Sequence, residues 1–145
     1  MLIFGLEFRP LPHSVFDRHF MTQTSIIPRN ILVVDDEAYV CDALKMLLTI
    51  DGHEVVTANS GAEALAHFGQ KDFDVVITDY SMPAMKGDEL AAAIKARKPT
   101  QPIVMITAYV EVLTGAKTPL HGIDVLVSKP FRLEQLREAI VKALS

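Results

Sequence analysis

Apolar positions along residues 30–145 follow two alternating rhythms. Short, largely β-branched runs give way to stretches with an apolar residue every third or fourth place. The runs at Ile31–Val34, Glu54–Ala58, Phe73–Thr78, Pro102–Ile106 and Asp124–Val127 read as strands, apolar enough to be buried on both faces. Helical spacing fills the gaps. From Ala38 to about Ile50 it places Val40, Leu44, Leu47 and Leu48 on one face, and Gly52 suits the left-handed residue that closes a helix. Ser60 and Glu63 make a capping box for a helix reaching about Phe68 and ended by Gly69. Asp88 to about Lys98 is alanine-rich, which suits close packing on a sheet. Arg132 to Leu144 aligns Leu133, Leu136, Ile140 and Leu144. Between the fourth and fifth strands the rhythm breaks: Ala108 to Leu113 can start a helix, but Thr114-Gly115 and Pro119 interrupt it. A short or broken helix is predicted there.

Strands alternating with helices imply an α/β fold, a parallel sheet covered on both faces. In such sheets, sites form at the carboxyl ends of the strands. Asp35 and Asp36 end the first strand, Asp79 the third, Thr107 the fourth, and Lys129 follows the fifth. Singly, each has a plain explanation: a solvated strand end, a surface lysine, a hydroxyl satisfying nearby backbone. Together they make a site. Two carboxylates about 4 Å apart repel by roughly 4 kcal/mol at an effective dielectric of 20, so three in one cleft call for a shared cation. Carboxylate oxygens favour Mg²⁺, which commonly bridges to phosphate. Lys129 offers a fixed positive charge to a phosphoryl oxygen, and the Thr107 hydroxyl can donate to another. A carboxylate between a divalent cation and a lysine is well placed to attack phosphorus.

Composition narrows this only a little. The 145 residues suit one domain with a real core; half are hydrophobic and the net charge is −4, which disfavours a non-specific nucleic-acid binder. The single cysteine, Cys41, excludes an internal disulfide framework, fits a reducing cytoplasm and reads as an inert helical thiol. The five histidines show no ligand spacing, so no zinc site is expected. Residues 1–28 differ in character and are set apart as an N-terminal extension, disordered or arising from an upstream start, with residues 29–145 as the domain. The apolar start Met1–Leu6 is soon followed by Glu7, Arg9, Pro10 and Pro12; it is neither a convincing signal peptide nor long enough for a membrane span. Met21 is the expected natural start, and no attached output domain is expected after residue 145.

From Asn30 to Leu144 the chain resembles a receiver domain of two-component response regulators, the family of the chemotaxis regulator. Four motifs in order carry the resemblance: Val34-Asp35-Asp36-Glu37, Thr78-Asp79-Tyr80-Ser81-Met82-Pro83 with Gly87, Ile106-Thr107-Ala108, and Lys129-Pro130-Phe131. It implies a flavodoxin-like three-layer sandwich whose five-stranded parallel sheet runs in the order 2-1-3-4-5. It implies Asp79 as the phosphoacceptor, Asp36 as a direct Mg²⁺ ligand, Asp35 as a ligand through water and the Ser81 carbonyl as a backbone ligand. Thr107 matches the switch hydroxyl and Lys129 its ion-pair partner, with a cis Lys129-Pro130 bond. The implied partners are a sensor histidine kinase or phosphotransfer protein and a separate downstream protein, with no direct nucleic acid and no membrane. A cytoplasmic monomer or weak dimer is expected.

One position departs from the family pattern: three residues before Lys129, where Tyr or Phe is usual, stands Leu126. This puts the usual output face of the fourth helix, fifth strand and fifth helix in doubt, and Tyr109 is a candidate substitute. Two other classes remain beside the switch. An aspartate-nucleophile phosphatase of the haloacid-dehalogenase type needs a second Asp two residues after the nucleophile, where this chain has Ser81. A degenerate receiver would serve as a binding module without phosphorylation, against which the full set of acidic residues, Thr107 and Lys129 speaks.

Overall fold

The computed structural model describes residues 26–114, 120 and 122–145. The expectations for residues 1–25, and for the interruption at Gly115 and Pro119, lie outside the described residues. The elements follow in the order β1 (Asn30–Val34), α1 (Ala38–Ile50), β2 (Glu54–Ala58), α2 (Gly61–Phe68), β3 (Val75–Asp79), α3 (Gly87–Arg97), β4 (Ile103–Thr107), α4 (Val110–Thr114), β5 (Val125–Ser128) and α5 (Leu133–Leu144). All strand pairs are parallel and the sheet order is β2-β1-β3-β4-β5, as the resemblance implied.

Period-2 alternation divides the apolar strand residues between two cores. Ile31, Val33, Val75, Ile77, Val104 and Ile106 meet α1 and α5 through Leu44, Leu48, Leu136 and Ile140. Leu32, Val34, Val76 and Ile103 meet α2 and α3 through Ala64, Leu90, Ala91 and Ile94. Every residue of β3 and β4 is buried, whereas the edge strands β2 and β5 are partly exposed.

Local chemistry sets the helix ends. After α1, Gly52 takes φ +94°; its N–H donates to the Thr49 carbonyl and that of His53 to the Leu48 carbonyl, the paired bonds of a Schellman close. At α2, Ser60 Oγ accepts from the Glu63 N–H (3.0 Å), but the Glu63 carboxylate reaches the N–H of Asn59 (2.8 Å) rather than that of Ser60. The buried face of α1 is Cys41, Leu44 and Leu48; Val40 and Leu47 lie at its margins. Burial pushes the Cys41 thiol up to about 11, in keeping with an inert group. A helix does follow β4: α4 is described over Val110–Thr114, up to the edge of the described residues.

Candidate functional site

Parallel pairing brings the carboxyl ends of β1, β3, β4 and β5 to one edge of the sheet, and the register fixes who stands beside whom. Asp79 ends β3 opposite Ile106, and Thr107 ends β4 opposite Ser128, the residue before Lys129. Past β1, the backbone N–H of Asp35 donates to the Ala58 carbonyl of β2 (3.1 Å), which holds Asp35 at the mouth of the sheet. One oxygen each from Asp35, Asp36 and Asp79 lie within 4.8 Å of one another. Asp35 is only 3% exposed and Asp79 8%, while Asp36 is open to solvent.

Lys129 spans this group. Its Nζ donates to Asp79 Oδ1 at 2.7 Å and lies 4.0 Å from Asp35 Oδ2. Burial pushes the Asp35 carboxyl up, and the charges of Asp79 and Asp36 add to this, against the Glu37 N–H (2.9 Å to Oδ1) and Lys129. Burial works against the Lys129 ammonium, yet its hydrogen bond to Asp79 and the surrounding carboxylates hold its pKa above the ordinary value. The cluster thus carries more negative charge than Lys129 balances, and its donors are all oxygens. That set fits a hard divalent cation such as Mg²⁺.

Thr107 is buried; its Oγ1 accepts from the Tyr109 N–H (3.0 Å) and its carbonyl from the Lys129 N–H (2.9 Å). The Lys129-Pro130 peptide is cis. The structure therefore gathers Asp35, Asp36, Asp79, Thr107 and Lys129 at one edge. Ser81, two residues beyond Asp79, is exposed in the loop that leads to α3.

That loop, residues 80–86, is held by local contacts. Met82 is buried, Ala84 takes φ +68°, and the Gly87 N–H donates to the Tyr80 carbonyl (2.9 Å). A side chain on Gly61 at the start of α2 would collide with Met85, so the bare glycine makes a notch for the loop. Two residues that the sequence did not link to the site hold Asp35: Asn59 Nδ2 and Cys41 Sγ both donate to its carbonyl, at 3.1 and 3.4 Å. Glu37, quoted only as part of a motif, contributes its backbone N–H.

Residues 31–141 match the family model of the response regulator receiver domain. Among curated relatives, the transcriptional regulatory protein ZraR of Salmonella typhimurium is 39% identical over 80% of this chain, and GlrR of Escherichia coli K12 is 34% identical over 81%. The chain spans about a quarter of the length of these relatives, 26% in each. Among solved structures, the response regulator TrrA of Thermotoga maritima, in complex with Mg²⁺ and beryllium fluoride, is 36% identical with a TM-score of 0.72; 80% of this chain and 99% of that one are covered. The Vibrio cholerae chemotaxis protein CheY4 is 29% identical with a TM-score of 0.70, covering 81% and 100%.

Proposed function

The chain belongs to the response regulator receiver domain family, and from that premise we propose that residues 29–145 form a phosphoacceptor switch of a two-component phosphorelay with Asp79 as the acceptor. A receiver domain is a signalling switch rather than a metabolic enzyme. The observation that carries the reading is the Asp79 carboxylate, clamped at 2.7 Å by Lys129 beside two further carboxylates.

One Asp79 oxygen is engaged by Lys129, and the other has no partner among the described residues. In transfer from a phosphohistidine, an Asp79 oxygen forms the bond to phosphorus as the P–N bond breaks, and the electron pair leaves with the imidazole. Lys129 then pairs with a phosphoryl oxygen, and the Thr107 hydroxyl, which can donate its own proton while Oγ1 accepts from the Tyr109 N–H, donates to another. Asp35, Asp36 and Asp79, with the Ser81 carbonyl, would hold Mg²⁺, which when bound supplies positive charge against the transferring group. The donor is a sensor histidine kinase, a phosphotransfer protein or a small phosphodonor. The phosphorylated domain biases two conformations that a separate partner reads. Among the described residues no helix is long and apolar enough to cross a membrane.

Incubation with acetyl phosphate and Mg²⁺, read by intact mass, tests the assignment. One acid-stable, base-labile phosphoryl group is expected, absent in Asp79→Asn and without Mg²⁺. Labelling that persists in Asp79→Asn sinks it; no labelling by any donor favours the binding module, and turnover of phosphoesters favours the phosphatase.

A further inference from the structure

At the opposite end of the sheet from Asp79, where β1 and β2 begin and α1 and α5 end, lies a cleft of about 320 Å³. Its walls include Ile27, Ile140, Val141 and Leu144, with Arg29 and His53 at the polar side. Ile27 and Val141 are large aliphatic side chains left 61% and 68% exposed. His53 is only 7% exposed, and its Nδ1 accepts from the Arg29 N–H at 3.0 Å. The ring's own proton therefore sits on Nε2, and that donor meets no acceptor among the described residues. The neighbouring carboxylate of Asp51 is already matched, its two oxygens accepting from Arg137 Nη2 and Nε at 2.7 and 2.8 Å. Arg29's guanidinium has no such partner among the described residues.

We propose that this cleft binds a carboxylate bearing a short aliphatic chain, the chain against Ile27, Ile140, Val141 and Leu144 and the carboxylate against His53 Nε2–H and Arg29. Three observations select that class. The aliphatic wall contains no aromatic ring to stack on, which disfavours a planar ligand. A ring N–H donor and a guanidinium lining one cleft suit an acceptor carrying negative charge, and a carboxylate satisfies both. The volume lies at the small end of ligand clefts, about 300–1,000 Å³, which limits the chain length. None of these residues takes part in the phosphoacceptor cluster, so the inference stands apart from that reading.

An NMR titration of the ¹⁵N-labelled full chain with sodium octanoate tests it, with octan-1-ol as the neutral probe of equal length. Saturable shifts are expected at Arg29, His53, Ile140, Val141 and Leu144, with binding at least tenfold weaker for the alcohol. Val141→Glu changes an exposed position, and its carboxylate repels the ligand; at least tenfold weaker octanoate binding is expected with the spectrum otherwise intact. Equal affinity for octanol and octanoate overturns the head-group recognition, and unchanged octanoate binding in Val141→Glu overturns the location. Absence of saturable shifts overturns the proposal, as does a response to anionic phospholipid vesicles alone, which would make the face a lipid contact.

Discussion

Replacing Gly87 by alanine asks how tightly the start of α3 constrains the acceptor. A Cβ at Gly87 would stand 3.0 Å from the Tyr80 Cα, 3.1 Å from the Asp79 carbonyl carbon and closer still to the Asp79 carbonyl oxygen. All three are backbone atoms, so no side chain can swing aside. Ordinary contact begins at 3.4 Å. Either the Asp79–Tyr80 backbone retreats, or α3 does and the bond from the Gly87 N–H to the Tyr80 carbonyl is lost. Overpacking of this kind costs about 1–3 kcal/mol, and each kcal/mol lowers the Tm of a domain this size by roughly 4 °C. A shift on the order of 1 Å at a reacting group costs about 100-fold in rate. Gly87→Ala should therefore melt roughly 4–12 °C lower by circular dichroism and accept phosphate from acetyl phosphate about 100-fold more slowly. Gly61→Ala is the control. Its Cβ meets the Met85 side chain, with Sδ at 2.5 Å, and a methionine can re-seat. There the rate should change less than about threefold, since Asp79 is untouched. If Gly87→Ala phosphorylates within about threefold of the native chain, the acceptor's position does not depend on this approach.

The other predictions concern the supports of the fold and the route outward. Arg137→Met strands the Asp51 carboxylate, 3% exposed in its side chain, and should cost about 1–2 kcal/mol in urea unfolding at pH 7, a figure reduced because the guanidinium is one-third exposed. The Arg137 hydrogen bond holds the Asp51 carboxyl below its ordinary value, so this contribution is present above about pH 4 and lost as pH falls through the lowered folded pKa; the two stability curves should converge in acid. Burial holds His53 below its ordinary value, so native stability should decline as pH drops below about 6.5, and His53→Asn, which keeps an acceptor for the Arg29 N–H, should flatten that decline; equal slopes would show that His53 carries none of it. Tyr109→Ala should suppress the changes at the α4 amides of Val110–Thr114 on adding beryllium fluoride, and undiminished changes there would remove Tyr109 from the route.

Most of the site was legible because each component is a strand-end residue, and strand ends follow from where apolar runs stop. Asp79 and Thr107 close β3 and β4, runs whose every residue is buried, so a polar residue there had one place to go. What escaped notice depends on through-space neighbours from other strands. Nothing local to Asn59 says that its amide reaches the Asp35 carbonyl, and nothing in Gly61 says that Met85 fills its notch. The predicted face of α1 is borne out at Leu44 and Leu48, with Val40 packed against the same core, but it also takes in Cys41 for a related reason. Hydrophobicity alone favoured Val40 and Leu47, but Cys41 is the residue that faces the loop from β1 and bonds to Asp35.

The same geometry bears on how a signal leaves the site. Thr107 has two contacts that phosphorylation must disturb or preserve: its carbonyl accepts from the Lys129 N–H, and its hydroxyl oxygen from the Tyr109 N–H. The first ties it to β5 through backbone, where Leu126 stands opposite Met105, half-buried and without a polar group to register a moved hydroxyl. The second leads directly into the start of α4. If the hydroxyl turns toward a phosphoryl oxygen, the Tyr109 N–H, one residue before α4 begins, loses its acceptor. Tyr109, 52% exposed, is placed to convert that loss into an altered surface. On the proposed switch, Tyr109 would stand in for the aromatic that the family pattern puts at Leu126, and the expected output lies at the entrance of α4 rather than on the edge strand.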